Sequence, residues 1–411
     1  MARIESPDFD AIVVGAGAGG AAAAYHLVQA GLDTLVIERQ KLPRYKACGG
    51  AIPRRSLARY PFDFGDVVEA EPISARFTFP GLAPVEVRLD RRPMVMVMRA
   101  KFDAFLLGRS GAEILDGTPV TAVEEAPDRV RVAAAGRSFT ARYLVAADGA
   151  TSTVARCMGL RRRRRLGGTL EMEVPLPAAG ALRDEYGQRA VFCFGTVAWG
   201  YGWVFPKGDH LSVGVGRFRP GRVDLRGVLR RQMEQMGLPT NGATPHGHPI
   251  PFLHVRAWPL WYGQPMEPLS TRRCVLVGDA AGLVDPLVGE GIRYAMTSGR
   301  LAAEAIASAG GGDLRRVGGY EEALWHEVGH SLATAGLAAN VYYHLPHVSY
   351  RLGVCNLAAI RHVVDIITDD QSYIGIGRRL VFATLRWPLD VVRRRRRDKR
   401  SRDTISERSN E

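Results

Sequence analysis

Cysteine is sparse and unpaired in this sequence. Five cysteines (Cys48, Cys157, Cys193, Cys274, Cys355) are scattered along 411 residues. They form no CxxC pair and no disulfide-like spacing, which fits a reducing, intracellular compartment. Long apolar runs are also missing. The opening MARIESPDFD is polar, and the first apolar run, AIVVG, is far too short for a signal peptide, so none is expected. No stretch reaches the roughly 18 to 20 apolar residues of a membrane span. The expectation is a cytoplasmic protein, either soluble or resting on the cytoplasmic face of a membrane. Lysine is nearly absent: Lys41, Lys46, Lys101, Lys207 and Lys399 are the only ones. No internal repeat is visible. No nucleic-acid fold signature accompanies the positive charge, so no nucleic-acid partner is expected.

What is present begins with arginine. The formal net charge is +13, and two basic clusters stand out, Arg161 to Arg165 and RRRRRDKRSR from Arg393. They read either as a solvated loop and tail or as an anchor to anionic lipid, where each charge gains about 1 kcal/mol. A hydrophobic content of 46% with 24% charged residues predicts a packed globular protein, and the length predicts two or three domains.

The stretch DAIVVGAGAGGAAAAYHLVQAGLDTLVIER predicts a short buried strand, a helix and a second strand closing at Glu38. Gly15, Gly17 and Gly20 form GxGxxG, with Gly19 and Arg39 counted beside them. The first glycine allows the tight turn, the second admits a pyrophosphate to the backbone, and the third lets helix pack on strand. The helix N-terminus offers N–H groups and partial positive charge to phosphates. Glu38, 18 residues after Gly20, is placed to accept hydrogen bonds from the adenosine ribose. FAD and NAD(P) fit this unit equally well.

Two later segments choose between them. RYLVAADGATSTVAR is an apolar strand ending in Asp148-Gly149, and RRCVLVGDAAGLVDPLVGEGI is another ending in Gly278-Asp279. Acids at the ends of parallel strands sit where ligands bind in open α/β sheets. A helix beginning near Gly289, Gly291 and Ile292 can face a flavin edge and stabilise negative charge there. In order and spacing these segments resemble the two-domain FAD enzymes that include aromatic hydroxylases. That resemblance implies FAD, with Asp279 on the ribityl chain, Arg99 on the flavin side and Val120 among the cofactor contacts.

Two local motifs narrow the group. One is RYKACGGAIP, Arg44 to Pro53; the other is WGYGWVFPKGDHLSVGVG, Trp199 to Gly216. Together they resemble the geranylgeranyl reductase family, which carries CGG after the second strand and Y-x-W-x-F-P in its substrate domain. Tyr201, Trp203, Phe205 and Pro206 match; the family's proline before the tyrosine is Ala198 here. Tyr201, Trp203 and Phe205 share one strand face and can wall a long apolar tunnel. The resemblance implies reduction of C=C bonds in a geranylgeranyl chain by hydride from flavin N5, with NADPH or reduced ferredoxin as electron donor. Gly49 and Gly50 bring the backbone close to the flavin. Cys48 beside them is a functional thiol by resemblance and a small wall residue on the plainer reading.

Rival readings are a flavin-dependent monooxygenase or halogenase, whose W-x-W-x-I-P motif WGYGWVFP approaches, and a non-catalytic protein binding FAD and prenyl lipid. HEVGH, His326 to His330, matches the HExxH zinc pattern, but no protease signature accompanies it and no metal is expected. The expected architecture is α/β, α+β overall: a Rossmann-like FAD domain with an inserted antiparallel substrate sheet. The FAD domain takes residues 1–70, 96–175 and 268–308. The substrate sheet takes 71–95 and 176–267, and a helical region with a basic tail takes 309–411. Amphipathic stretches RLGVCNLAAIRHVVDII and RRLVFATLRWPLDVV in that last region fit a helix on a membrane surface.

Overall fold

The computed structural model describes residues 6–160, 165–240, 246–252, 267–315 and 319–367. The chain opens with β1 (Phe9–Val14), α1 (Ala18–Gln29) and β2 (Thr34–Ile37). It then leaves for β3 (Ala51–Pro53), α2 (Arg54–Leu57), β4 (Val68–Ala70), β5 (Ser74–Thr78), β6 (Val85–Arg88) and β7 (Met94–Val97). Helix α3 (Arg99–Gly108) returns it to β8 (Glu113–Leu115), β9 (Val120–Glu125), β10 (Val130–Ala134) and β11 (Arg137–Ala146). After α4 (Thr153–Cys157) come β12 (Arg165–Pro175), α5 (Ala181–Tyr186), β13 (Arg189–Phe194), β14 (Gly200–Pro206), β15 (His210–Arg217), α6 (Leu225–Gln235) and β16 (His246–Phe252). β17 (Cys274–Leu276), α7 (Gly278–Ala281) and α8 (Ile292–Ala309) follow. α9 (Tyr320–Leu324), a π turn (Trp325–Gly329), α10 (His330–His344), α11 (Pro346–Gly353) and α12 (Leu357–Ile367) complete the described chain.

Three sheets result. The first runs β8-β2-β1-β11-β10-β9, with β17 also on β11. Its β8, β2, β1, β11 and β17 are parallel, and β9 and β10 add antiparallel. The parallel strands read as unbroken apolar runs because both faces are covered; β2 and β17 are buried throughout. Every parallel strand therefore ends toward the same edge, where ligands bind in such sheets. The second sheet runs β16-β12-β15-β14-β13-β5-β6, antiparallel except at β13–β5. β3, β7 and β4 form a small third sheet between them in the chain.

This pairing corrects one boundary. Residues 165–175, assigned from sequence to the cofactor unit, form β12, which pairs with β15 and β16 in the second sheet. Among the described residues, no helix is long and apolar enough to cross a membrane. RRLVFATLRWPLDVV and the basic tail lie outside the described residues, as do Arg161 to Arg164.

Candidate active site

The cofactor half is built at the carboxyl ends of β1, β2, β11 and β17. Gly15 has φ +103°, and a Cβ on Gly20 would lie 1.8 Å from the Gly15 carbonyl oxygen. Only glycine permits that approach of helix to turn. Gly17 caps α1 in an extended conformation. The space in front of it is flanked by Arg44 and Arg99, whose Nη2 atoms lie 3.4 and 3.8 Å from where a Cβ would stand. Arg99 is buried and makes a two-pronged pair with Asp103 through Nε and Nη2, both at 2.9 Å. Arg44 bridges Glu38 at 3.3 Å and Asp103 at 3.4 Å. Glu38 is buried and accepts the Ala16 N–H at 2.8 Å and the Gln40 N–H at 3.1 Å.

Asp148 accepts N–H groups from Thr153 at 2.6 Å and Val154 at 3.1 Å through Oδ2. Its Oδ1 is buried with no hydrogen-bond partner, and burial raises its pKa. Asp279 opens α7 and takes Lys46 Nζ at 3.2 Å. Gly289, Gly291 and Ile292 line the same cleft from the loop before α8. Gly19 lines it too, while Arg39 is exposed on the strand-end turn and Val120 opens β9; neither of these two lines the cleft. The residues present fit FAD. Two guanidinium groups and a helix N-terminus face one point, which suits a diphosphate, and carboxylates at three strand ends suit hydroxyl groups.

The reaction half brings the two diagnostic motifs together. Tyr201, Trp203 and Phe205 of β14 line the cleft with Phe192, Phe218 and Val284, beside Cys48, Gly49 and Gly50. The cleft holds about 1300 Å³ of empty space, its mouth included. A Cβ on Gly49 would lie 2.9 Å from the Phe205 ring and 3.1 Å from Trp203 Nε1. Tyr201 donates its hydroxyl to the Val288 carbonyl at 2.6 Å, joining the second sheet to the loop before α8.

Two buried charges hold the CGG turn, and the sequence reading missed their roles. Glu171 of β12 accepts the Cys48 N–H at 2.6 Å and the Tyr45 hydroxyl at 3.2 Å. It also accepts Ser212 Oγ, which in turn takes the Trp203 indole N–H at 3.0 Å. Lys207, 1% exposed, donates to the carbonyls of Gly49 at 2.7 Å and Val97 at 2.9 Å. Burial lowers its pKa to about 8. Its sequence signal was a scarce lysine directly after Y-x-W-x-F-P. Glu290, also passed over, lines the cleft beside Gly289 and pairs with Arg293 at 3.1 Å. Burial raises its pKa against that partner.

The HEVGH segment straddles the π turn and α10. Glu327 is engaged by Arg59 and Arg300, and the His330 ring lies 4.8 Å from that of Trp325. Among the described residues, no group of three metal-ligating side chains assembles.

Comparison with known proteins shows the family and the fold. Residues 9–191 match the pyridine nucleotide-disulphide oxidoreductase family. The chain is 33% identical over 308 residues to geranylgeranyl diphosphate reductase of Rhodobacter capsulatus, covering 72% of this chain and 74% of the relative. It is 30% identical over 315 residues to digeranylgeranylglycerophospholipid reductase of Methanococcus vannielii, covering 74% and 78%. A solved geranylgeranyl bacteriochlorophyll reductase-like protein of Thermoplasma acidophilum shares the fold with a TM-score of 0.69 at 23% identity, covering 82% of this chain and 87% of that one. This chain belongs to the geranylgeranyl reductase family of FAD-binding oxidoreductases.

Proposed function

We propose that this protein saturates C=C bonds of a geranylgeranyl chain. The observation that carries the reading is the meeting of an aromatic strand face, Tyr201, Trp203 and Phe205, with the Cys48–Gly50 turn in the wall of one apolar cleft. Reduced FAD, when bound there, supplies the hydride. The chain's own residues do the rest. Aromatic side chains exclude water and lay an extended apolar chain along the cleft. An isolated alkene is barely polarised, so alignment contributes much of the rate. A proton must reach the second alkene carbon, and Cys48 and Glu290 are the candidate donors lining the cleft. The electron donor in this reading is NADPH or reduced ferredoxin, the latter an electron-donor protein.

Contact with a membrane surface belongs to the same reading, since prenyl lipids reside there. Helices α10 and α11 support it with an outer apolar row: Leu337, Val341, Leu345 and Val348 are 41%, 66%, 59% and 50% exposed. Their inner residues Ala339, Tyr343 and Tyr350 pack in the cluster that contains Phe192 and Tyr201. These two helices thus join an exposed apolar face to the wall of the cleft.

Anaerobic incubation of the photoreduced protein with geranylgeranyl diphosphate, a geranylgeranylated tetrapyrrole and a prenylquinone tests the reading. Mass gain of hydrogen pairs on one of them, with flavin reoxidation, is expected and names the head group. Halogenated or hydroxylated products in air would sink the reductase reading. Binding of the chain without turnover would leave the non-catalytic alternative.

A further inference from the structure

A second cavity lies behind the active-site cleft, with α8 as the shared wall. Ile292 faces the cleft, whereas Arg293 and Arg300 line the second cavity. His26 of α1, Ser56 of α2, Arg59 and Glu327 also line it, around about 740 Å³ of empty space with its mouth included. Three guanidinium groups therefore share the cavity with one carboxylate. Glu327 bridges Arg59 and Arg300, using Nη1 of the first and Nη2 of the second. A carboxylate held between two guanidinium forks occupies the position a phosphate also takes. Arg300 reaches Glu304 at 2.6 Å and Arg293 reaches Glu290 at 3.1 Å, both carboxylates outside this lining.

A second observation is independent of the arginines. Ser56 is 6% exposed, and its hydroxyl oxygen is buried without a hydrogen-bond partner. Leaving such a group unpaired is costly, and a bound acceptor recovers that loss. His26 reports the local field: its pKa is lowered by burial first and by Arg300 second.

We propose that this cavity is a second, anion-binding site for a ligand carrying a phosphate or diphosphate group, held by Arg59, Arg293 and Arg300 with Ser56 as a further donor. Glu327 is the internal counter-anion that the ligand displaces. Two molecules in the proposed reaction carry such a group, a nicotinamide dinucleotide donor and a prenyl diphosphate substrate. The site itself does not depend on the reductase reading; only the choice between those sources does.

The test uses FAD-loaded protein, so that the glycine cradle is filled, with inorganic pyrophosphate as the probe in calorimetry. Binding is expected. R59E should weaken it by roughly tenfold or more, the loss of one charge-assisted contact. E327Q should tighten it by roughly threefold or more, because the competing carboxylate is gone. The opposite signs separate an electrostatic site from loss of fold. Failure of pyrophosphate to bind, or equal affinity in all three proteins, overturns the proposal. Displacement of bound pyrophosphate by NADP⁺ assigns the site to the donor. Displacement by geranylgeranyl diphosphate but not geranylgeraniol assigns it to the substrate.

Discussion

Lys207 gives its ammonium to two backbone carbonyls and none of it to solvent. Its native pKa, about 8, lies below the ordinary lysine value that the unfolded chain keeps. Between those two values the native state has released the proton and the unfolded chain has not. Stability contributed by this group therefore rises with pH above about 8 and is flat below it. A neutral amine still has two N–H donors, one for each carbonyl. Lys207→Met should unfold at lower denaturant than the parent, and the gap should widen by on the order of 1 kcal/mol or more between neutral pH and pH ~10. A gap that narrows over that range would contradict the assignment. Cys48 is tested differently. Cys48→Ala and Cys48→Ser should both retain flavin and lose roughly tenfold or more in alkene reduction, measured in single turnover. Full rate in both variants would make the thiol a wall residue. The place of Cys48 at the cleft was legible because its motif is ten consecutive residues. The carboxylate that fixes its N–H was not, since Glu171 lies 123 positions away inside TLEMEVP, which reads as an ordinary strand.

The contact between β14 and the Cys48–Gly50 turn leaves no room for a side chain at Gly49. Gly49→Ala should force the Phe205 and Trp203 rings apart, at a cost of about 1–3 kcal/mol. Lower flavin occupancy and a displaced visible absorption spectrum are the expected readouts; an unchanged spectrum with normal occupancy would show that the rings relax freely. The β1–α1–β2 unit was readable because its parts are adjacent in the chain and each glycine has a local reason. The second sheet was readable only in kind. The aromatic alternation of β14 marked a one-faced strand, but nothing local tells β12 to pair with β15 and β16, or β5 to lie parallel to β13. Those registers are set by burial across long sequence separations, which pattern alone does not encode.

At the scale of the molecule, the successive helices α10 and α11 have one face on the cleft wall and the other exposed. Val341→Glu combined with Val348→Glu should reduce co-flotation with anionic vesicles by roughly tenfold, as loss of two apolar contacts predicts. Equal flotation of parent and variant would remove this face from the membrane reading. Membrane association was expected from the arginine-rich tail, whereas the exposed row on α10 and α11 is visible only once the inner face is known. The double hold on the Cys48–Gly50 turn bears on how new members of this family can be made. Glu171 lies in the second sheet and Lys207 in its β14–β15 turn, yet they fix a segment that follows β2 of the first. A chimaera that borrows another relative's substrate sheet must therefore import the Tyr45–Gly50 segment as well. Grafting the sheet alone exchanges the pincer without its workpiece, and recombination breakpoints placed between Tyr45 and β3 should yield proteins that fold without taking up flavin.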